Sequence, residues 1–281
     1  MGKRTLQNRR DRALGTGAEL FYDDPLEIVR GDGVFLFDRD GRSYVDMYNN
    51  VPVVGHANPA IVAAMAEQQA TLNVHSRYLH EGIIAFAERY AGLNHEGIES
   101  VVFSCSGTEA VEVAIQMARL ATGERGLVCT DATYHGNTEL VGSMNYLWRA
   151  PPKSGAIRAF PYPDLYRPLK EGLGEGELCD AYLEKVAHAI ESLKAEGQGL
   201  AALIMCSIFA NEGPPEIPSG FMAKVTDLVH REGGLVIADE VQAGYGRTGR
   251  WWGYQKTDFL PDIVVTGKPM GNGLPVSATG A

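Results

Sequence analysis

The sequence predicts an α/β fold in which helices cover a mostly parallel sheet. From residue 100 onward, short apolar runs follow one another, and segments with the periodicity of amphipathic helices separate them. Strands that are apolar on both faces and connected through helices are typical of a parallel sheet buried on both sides. Ligands of such sheets bind beyond the carboxyl ends of the strands, so the residues that follow each apolar run are the first candidates for a site.

The first part of the chain, residues 1–60, is predicted to be an N-terminal arm with a hairpin. The segment GVFLFDRDGRSYVDM alternates on both sides of Asp40-Gly41, and Asp-Gly favours a tight turn between antiparallel strands. The segment NPAIVAAMAEQQATL has helical periodicity after an Asn-Pro start. The second part, residues 61–281, begins inside this helical segment and is predicted to be one large domain.

The large domain is predicted from alternating strands and helices. The strands are SVVFSC, RGLVCT, AIRAF, LAALIMCSI, GGLVIAD and PDIVVTG. The helices between them are GTEAVEVAIQMARLAT, LCDAYLEKVAHAIESLKAEG and GFMAKVTDLVHREG. These segments contain no internal repeat.

Composition limits the classes of function. The formal net charge of −10 argues against a nucleic-acid-binding protein, which needs excess Lys and Arg to neutralise phosphates. No apolar run approaches the roughly 18 residues that a membrane span requires. The four cysteines are far apart and lack CxxC spacing, which favours reduced thiols in the cytoplasm. His75 and His80 are too far apart to share one helix face, so no metal site is predicted.

Ser106, Gly107 and Thr108 follow the first strand of the large domain and open a helix. Hydroxyl groups and unpaired N–H groups at a helix N-terminus are suited to binding a phosphate. The same residue types also cap ordinary helices. This segment is therefore a candidate phosphate cradle, with simple helix capping as the alternative.

Three further strand ends carry polar or aromatic candidates. Tyr134 and His135 follow RGLVCT and could cover a flat ligand, although a packed loop aromatic is the simpler interpretation. Asp239 ends GGLVIAD, where a buried carboxylate needs a cationic or hydrogen-bonding partner, and a turn cap would also explain it.

Lys268 directly follows PDIVVTG. Burial lowers the pKa of an ammonium group, which is what a lysine needs to form a Schiff base with an aldehyde. Most lysines after a strand are simply exposed to solvent. Together, however, a phosphate cradle, an aromatic face, an acid and this amine describe a pocket for pyridoxal 5′-phosphate.

The segments CSGTEAVEVAIQMAR, TYHGNT, LVIADEVQAGYGRTG and VVTGKPMGNGLPVSA resemble, in order and spacing, the class III pyridoxal-phosphate aminotransferases. The resemblance runs from about residue 31 to residue 281. NNVPVVGHANPAI and LNVHSRYLH are similar to the branch that holds alanine–glyoxylate aminotransferase 2 and the phosphoethanolamine and phosphohydroxylysine phospho-lyases. The resemblance implies the large domain of fold type I, with a sheet of about seven strands, and a homodimer with its sites at the subunit interface.

The resemblance also implies a role for each candidate. Lys268 would hold the cofactor as a Schiff base and later move the substrate proton, and Asp239 would keep the pyridine nitrogen protonated. The resemblance implies that Gln242 would bind the phenolic oxygen of the cofactor, and that Val241 and Tyr134 would cover the two faces of its ring, with His135 beside Tyr134. The phosphate would be bound by Ser106, Gly107 and Thr108. Asn49 and Asn50 lie where members of the family place residues of the substrate pocket.

Two departures from the family pattern affect the expected activity. Many relatives have Glu or Asp at the end of the strand LAALIMC, where this chain has Cys206. Relatives also continue beyond the lysine into a C-terminal small domain. The chain is therefore expected to be truncated at its C-terminus, in the strand after Lys268, with a protein that lacks the groups of that domain as the alternative.

The function expected from the resemblance is a transaminase that moves an amino group from an amino acid or amine to a keto acid such as pyruvate or glyoxylate. One alternative is a phospho-lyase or decarboxylase of the same fold, because one carbanion can lead to different bond cleavages. Another is a fragment that binds the cofactor without catalysis. A nucleotide-binding protein is disfavoured, because TGKPMGNG lacks the residues of a P-loop.

Overall fold

A computed structural model of the protein describes residues 3–17, 20, 22–146, 150 and 155–281. The chain divides into two compact units, Met1–Val74 and His75–Ala281. The predicted division between residues 60 and 61 falls inside the helix that follows Asn58, whereas in the structure the whole helix belongs to the first unit.

The first unit contains α1 (Lys3–Leu14), β1 (Ile28–Asp32), β2 (Phe35–Asp38), β3 (Ser43–Val45) and α2 (Pro59–Thr71). Its strands form an antiparallel sheet in the order β1-β2-β3. The predicted hairpin is confirmed, because β2 pairs with β3 across Asp40-Gly41. Asp38 closes the turn by accepting hydrogen bonds from the backbone N–H groups of Asp40 and Arg42 at 3.0 and 2.9 Å.

The second unit contains the other helices and strands. The helices are α3 (Glu81–Gly92), α4 (Gly107–Thr122), α5 (Glu139–Gly142), α6 (Glu175–Ala195) and α7 (Phe221–Arg231). The strands are β4 (Val101–Ser104), β5 (Leu127–Thr130), β6 (Ile157–Phe160), β7 (Ala202–Cys206), β8 (Leu235–Asp239), β9 (Ile263–Thr266) and β10 (Ser277–Gly280). A 3₁₀ turn covers Gly253–Lys256.

The predicted seven-stranded, mostly parallel sheet is confirmed. Its strand order is β4-β10-β9-β8-β7-β5-β6. Only β10 runs against its neighbours, β4 and β9, while β9, β8, β7, β5 and β6 pair in parallel. The carboxyl ends of β4, β5, β7, β8 and β9 therefore lie at one edge of the sheet.

Both faces of this sheet are buried, which explains why its strands show no polar alternation. Ile204, Ile237 and Val265 belong to a buried cluster that includes the apolar side of α4. Their sequence neighbours Leu203, Val236 and Val264 belong to a second cluster with α6 and α7. Successive strand residues thus enter opposite cores, as the two-residue period of a strand requires. Among the described residues, no helix is long and apolar enough to cross a membrane.

Candidate functional site

The predicted phosphate cradle is the start of α4. Ser106 is the N-cap, and its hydroxyl oxygen accepts the backbone N–H of Glu109 at 3.2 Å. The Glu109 carboxylate accepts the backbone N–H of Cys105, the residue before the N-cap, at 2.7 Å. The N–H groups of Gly107 and Thr108 belong to the first turn and have no partner inside the helix. Capping and anion binding are therefore compatible at this helix end.

Glycine allows three strand ends to approach each other closely around this cradle. A Cβ atom on Gly107 would lie 3.0 Å from Cγ2 of Val241, which follows β8. A Cβ atom on Gly267, which follows β9, would lie 3.2 Å from the Cα atom of Gly107. The fold thereby places the residue before Lys268 directly against the start of α4.

The loop after β5 packs on the same helix end. Gly136 has φ +146°, and a Cβ atom there would lie 2.5 Å from the hydroxyl oxygen of Thr108. That hydroxyl donates to Asn137 at 3.4 Å. Tyr134 and His135 directly precede Gly136 in the chain. Tyr134 is half-buried, and His135 is buried. The predicted aromatic and the predicted phosphate cradle are therefore brought together.

Asp239 contacts His135, a pairing that the sequence did not predict. Nδ1 of His135 lies 2.6 Å from Oδ2 of Asp239, and Nε2 lies 2.8 Å from the hydroxyl oxygen of Thr133. Oδ1 of Asp239 accepts the backbone N–H of Val241 at 3.0 Å. An ionised Asp239 requires the His135 proton on Nδ1, so both the carboxylate and the ring have a fixed orientation.

Lys268 lies two residues after the end of β9 and is half-buried. Burial lowers the pKa of its amine, and the positive charge of Arg247 acts in the same direction. The negative charge of Asp239 opposes this shift. A lowered pKa increases the fraction of neutral, nucleophilic amine.

Cys206 lies beside Asp239, because β7 and β8 pair these two residues directly. Burial raises the pKa of its thiol, and the charge of Asp239 raises it further. The thiol is therefore neutral, and this strand end carries no acid. Gln242 is half-buried directly after Val241.

Asn49 and Asn50, the weaker candidates for the substrate pocket, lie in the first unit after β3. The backbone and side-chain N–H groups of Asn49 donate to the two carboxylate oxygens of Asp46, each at 2.9 Å. Their role in the substrate pocket stays a prediction, as do the assigned roles of the other candidates.

Several residues at this edge of the sheet were not predicted. Asn145, Asn211 and Glu212 make buried or half-buried hydrogen bonds around the candidates. The two asparagines had no local signal in the sequence, because they lie in loops and act through their tertiary contacts.

The sequence matches the model of one protein family over residues 21–281, which is described as aminotransferase class-III. The chain belongs to the class-III aminotransferases. This membership agrees with the predicted resemblance and with the arrangement of strand ends described above.

Similar proteins of this family include both transaminases and phospho-lyases. The alanine–glyoxylate aminotransferase 2-like protein of Drosophila melanogaster is 35% identical over 96% of this chain and 56% of its own length. A phospholyase from Arthrobacter, solved in complex with phosphoethanolamine, is 40% identical with a TM-score of 0.92, over 98% of this chain and 65% of that one. A taurine:2-oxoglutarate aminotransferase from Bifidobacterium kashiwanohense, solved with PLP and glutamate, is 26% identical with a TM-score of 0.86, over 100% of this chain and 65% of that one.

This chain therefore spans less than two thirds of the length of these class-III relatives. The part it spans contains the strand ends that carry Asp239 and lead to Lys268, and the start of α4.

The residues of this class-III chain fit pyridoxal phosphate. The glycine-lined helix end at Gly107 offers N–H and hydroxyl groups to a phosphate. Asp239 offers a carboxylate to a protonated ring nitrogen, and Lys268 offers an amine with a lowered pKa to the aldehyde. The candidate set thus matches each of the polar groups that distinguish this cofactor.

Proposed function

We propose that the protein is a pyridoxal-phosphate-dependent transaminase that moves an amino group from an amino acid or amine to a keto acid such as pyruvate or glyoxylate. The observation that carries this proposal is the packing of Gly267, the residue before Lys268, against both Gly107 at the helix end and Val241, two residues after an Asp239 carboxylate that His135 contacts at 2.6 Å. Membership of the class-III aminotransferases and the bound PLP of the Bifidobacterium enzyme support it.

When bound, pyridoxal phosphate supplies an aldehyde for the substrate amine and a ring that withdraws electrons from the substrate carbon. Ser106, Gly107 and Thr108 bind its phosphate through the N-terminus of α4. Asp239 holds a proton at the ring nitrogen, because its carboxylate is oriented by His135 and by the N–H of Val241.

Lys268 performs the proton transfers of this reaction. Because burial lowers the pKa of its amine, a neutral form is accessible that can accept the substrate proton and return it at a second atom. Tyr134 and Val241 confine the ring, and Gln242 binds its phenolic oxygen.

Spectroscopy with the purified chain tests this proposal. Addition of pyridoxal phosphate is expected to give a lysine-bound chromophore, and borohydride should attach the cofactor to the peptide that contains Lys268. An amino donor should then bleach the chromophore, and a keto acid should restore it. Wild-type protein that stays unmodified would refute cofactor binding, while a chromophore that no amine bleaches would indicate a binding fragment without catalysis.

Phospho-lyase activity is a second candidate. It is favoured by the 40% identity to the Arthrobacter phospholyase, compared with 26% to the Bifidobacterium aminotransferase. Phosphate released from phosphoethanolamine without consumption of a keto acid would establish this activity. Consumption of the keto acid without phosphate release would establish transamination.

We also propose that the chain works as a homodimer in the cytoplasm, with small-molecule donor and acceptor as its partners. The four free cysteines, three of them buried, support a reducing compartment. Sedimentation equilibrium tests the dimer, and fractionation of the source cells tests the location.

A further inference from the structure

The peptide bond between Tyr134 and His135 is held at both of its polar atoms by asparagine side chains from two other segments. Nδ2 of Asn211, in the loop after β7, donates to the carbonyl of Tyr134 at 3.1 Å. Oδ1 of Asn145, after α5, accepts the N–H of His135 at 3.3 Å. The orientation of a peptide plane fixes the directions of the side chains on either side of it.

Asn145 also holds the following residue. Its Nδ2 donates to the carbonyl of Gly136 at 2.6 Å. The two contacts define how the amide is turned, because its oxygen faces an N–H and its nitrogen faces a carbonyl. Asn145 therefore bridges two successive backbone units, His135 and Gly136, with one side chain.

The imidazole that this backbone carries has no room to adjust. The His135 side chain is fully buried, and its two nitrogens contact Asp239 at 2.6 Å and Thr133 at 2.8 Å. Gly136 is fixed on the other side, since its φ of +146° brings it against Thr108. A small rotation of the Tyr134–His135 peptide would lengthen the short contact with Asp239.

We infer that Asn145 and Asn211 are positioning residues that set the His135–Asp239 contact and, through it, the binding of the cofactor ring. The Asn145–Asn211 clamp, as we name this pair, acts through hydrogen bonds to the backbone of Tyr134, His135 and Gly136. Only its effect on the cofactor rests on the proposed function, because the His135–Asp239 contact exists in the protein alone.

The contact can be measured without cofactor by proton NMR of the apoprotein. A proton in a short, charge-assisted hydrogen bond such as His135 Nδ1–H to Asp239 gives a resonance far downfield. Its loss in Asp239→Asn assigns it. We expect Asn145→Ala and Asn211→Ala each to shift or broaden this resonance and to weaken cofactor binding roughly 10-fold. Both variants should also have a lower melting temperature, because each leaves a backbone group without its hydrogen-bond partner.

Asn94→Ala is the matched control. The Asn94 amide also bonds a backbone carbonyl, that of Tyr90 at 2.9 Å, and it accepts the Tyr254 hydroxyl at 3.0 Å, away from His135. This variant is expected to lower stability while the downfield resonance and the cofactor affinity stay unchanged. Asn145→Asp distinguishes the two hydrogen bonds of Asn145, because it keeps a side chain of the same shape and an acceptor for the N–H of His135 but removes the donor to the carbonyl of Gly136.

An unchanged resonance in both clamp variants would overturn the inference, as would a wild-type spectrum without any such resonance. If Asn145→Ala does not fold, Asn211→Ala decides the matter with the same readouts. If wild-type protein binds no cofactor, the proposed function fails, but the NMR comparison still tests the clamp.

Discussion

Asp239 and Glu240 are adjacent carboxylates at the end of β8, yet their surroundings differ completely. Asp239 faces the candidate site and contacts a histidine at 2.6 Å. Glu240 is fully buried on the other side of the strand and accepts only neutral donors, the Ser207 hydroxyl and the N–H groups of Gly253 and Tyr254. Adjacent acids can therefore have different roles, one in the reaction and one in stabilising the fold, because a strand directs successive side chains to opposite faces.

The Glu240 side of the strand anchors the 3₁₀ turn that begins at Gly253. A Cβ atom on Gly253 would lie 2.6 Å from Cβ of Ala243, so the turn packs tightly on the segment after β8. Trp252, which is almost fully buried, donates from its indole N–H to the carbonyl of Leu93 at 3.0 Å. Glu240 thus connects β8 to the aromatic core and has no contact with His135 among its hydrogen bonds.

The largest expected effect on the Asp239 side comes from Asp239→Asn. The amide keeps the shape and an acceptor for the N–H of Val241, but it removes the negative charge that stabilises a protonated ring nitrogen. Turnover is expected to fall roughly 100- to 10,000-fold, while thermal unfolding changes little. Steady-state kinetics and calorimetry measure the two quantities.

Asp262→Asn is the control for this charge removal. Asp262 also pairs with a histidine, His230, at 2.8 Å, but at the start of β9 and partly exposed. Its replacement should leave turnover unchanged. Equal losses of turnover in the two variants would contradict a specific role for Asp239.

Glu240→Ala is expected to have the next largest effect, on stability. It leaves the Ser207 hydroxyl and two backbone N–H groups buried without an acceptor. The free energy of unfolding should fall by about 3–5 kcal/mol. Urea denaturation measures it, with Glu184→Ala on the exposed side of α6 as the control. If the free energy of unfolding falls no further in Glu240→Ala than in Glu184→Ala, Glu240 does not stabilise the 3₁₀ turn at Gly253.

The smallest expected effect is a dependence of stability on pH. Burial raises the pKa of Glu240 above its usual 4.5, and the charge of Asp239 adds to this shift. An acid with a raised folded-state pKa contributes stability below its unfolded-state pKa, and this contribution is lost as the pH rises through the folded-state pKa. Wild-type protein should therefore lose stability above pH 4.5, by at most about 1.4 kcal/mol per pH unit from this group.

Glu240→Gln isolates that contribution, because the amide does not titrate. The difference in unfolding free energy between wild type and variant should become smaller as the pH rises. Glu212 and Asp131, whose pKa values burial also raises, are present in both proteins and cancel. A difference that is constant with pH would contradict a titrating Glu240.

The sequence by itself determined the central sheet and the positions of the candidates along it. Apolar runs such as LVIAD and IVVT predict buried strands, and the parallel arrangement places Asp239 and the residue before Lys268 at one edge. The apolar runs that form buried strands are local properties of the sequence, so the sequence alone predicts them.

Tertiary structure alone decided which of these residues touch. The His135–Asp239 contact joins residues 104 positions apart, and Asn211 reaches Tyr134 across 77 positions. The antiparallel β10, inserted between β4 and β9, likewise depends on packing with strands distant in sequence. Such contacts depend on the crossover of helices and on loop conformations, and neither residue type nor spacing encodes them locally.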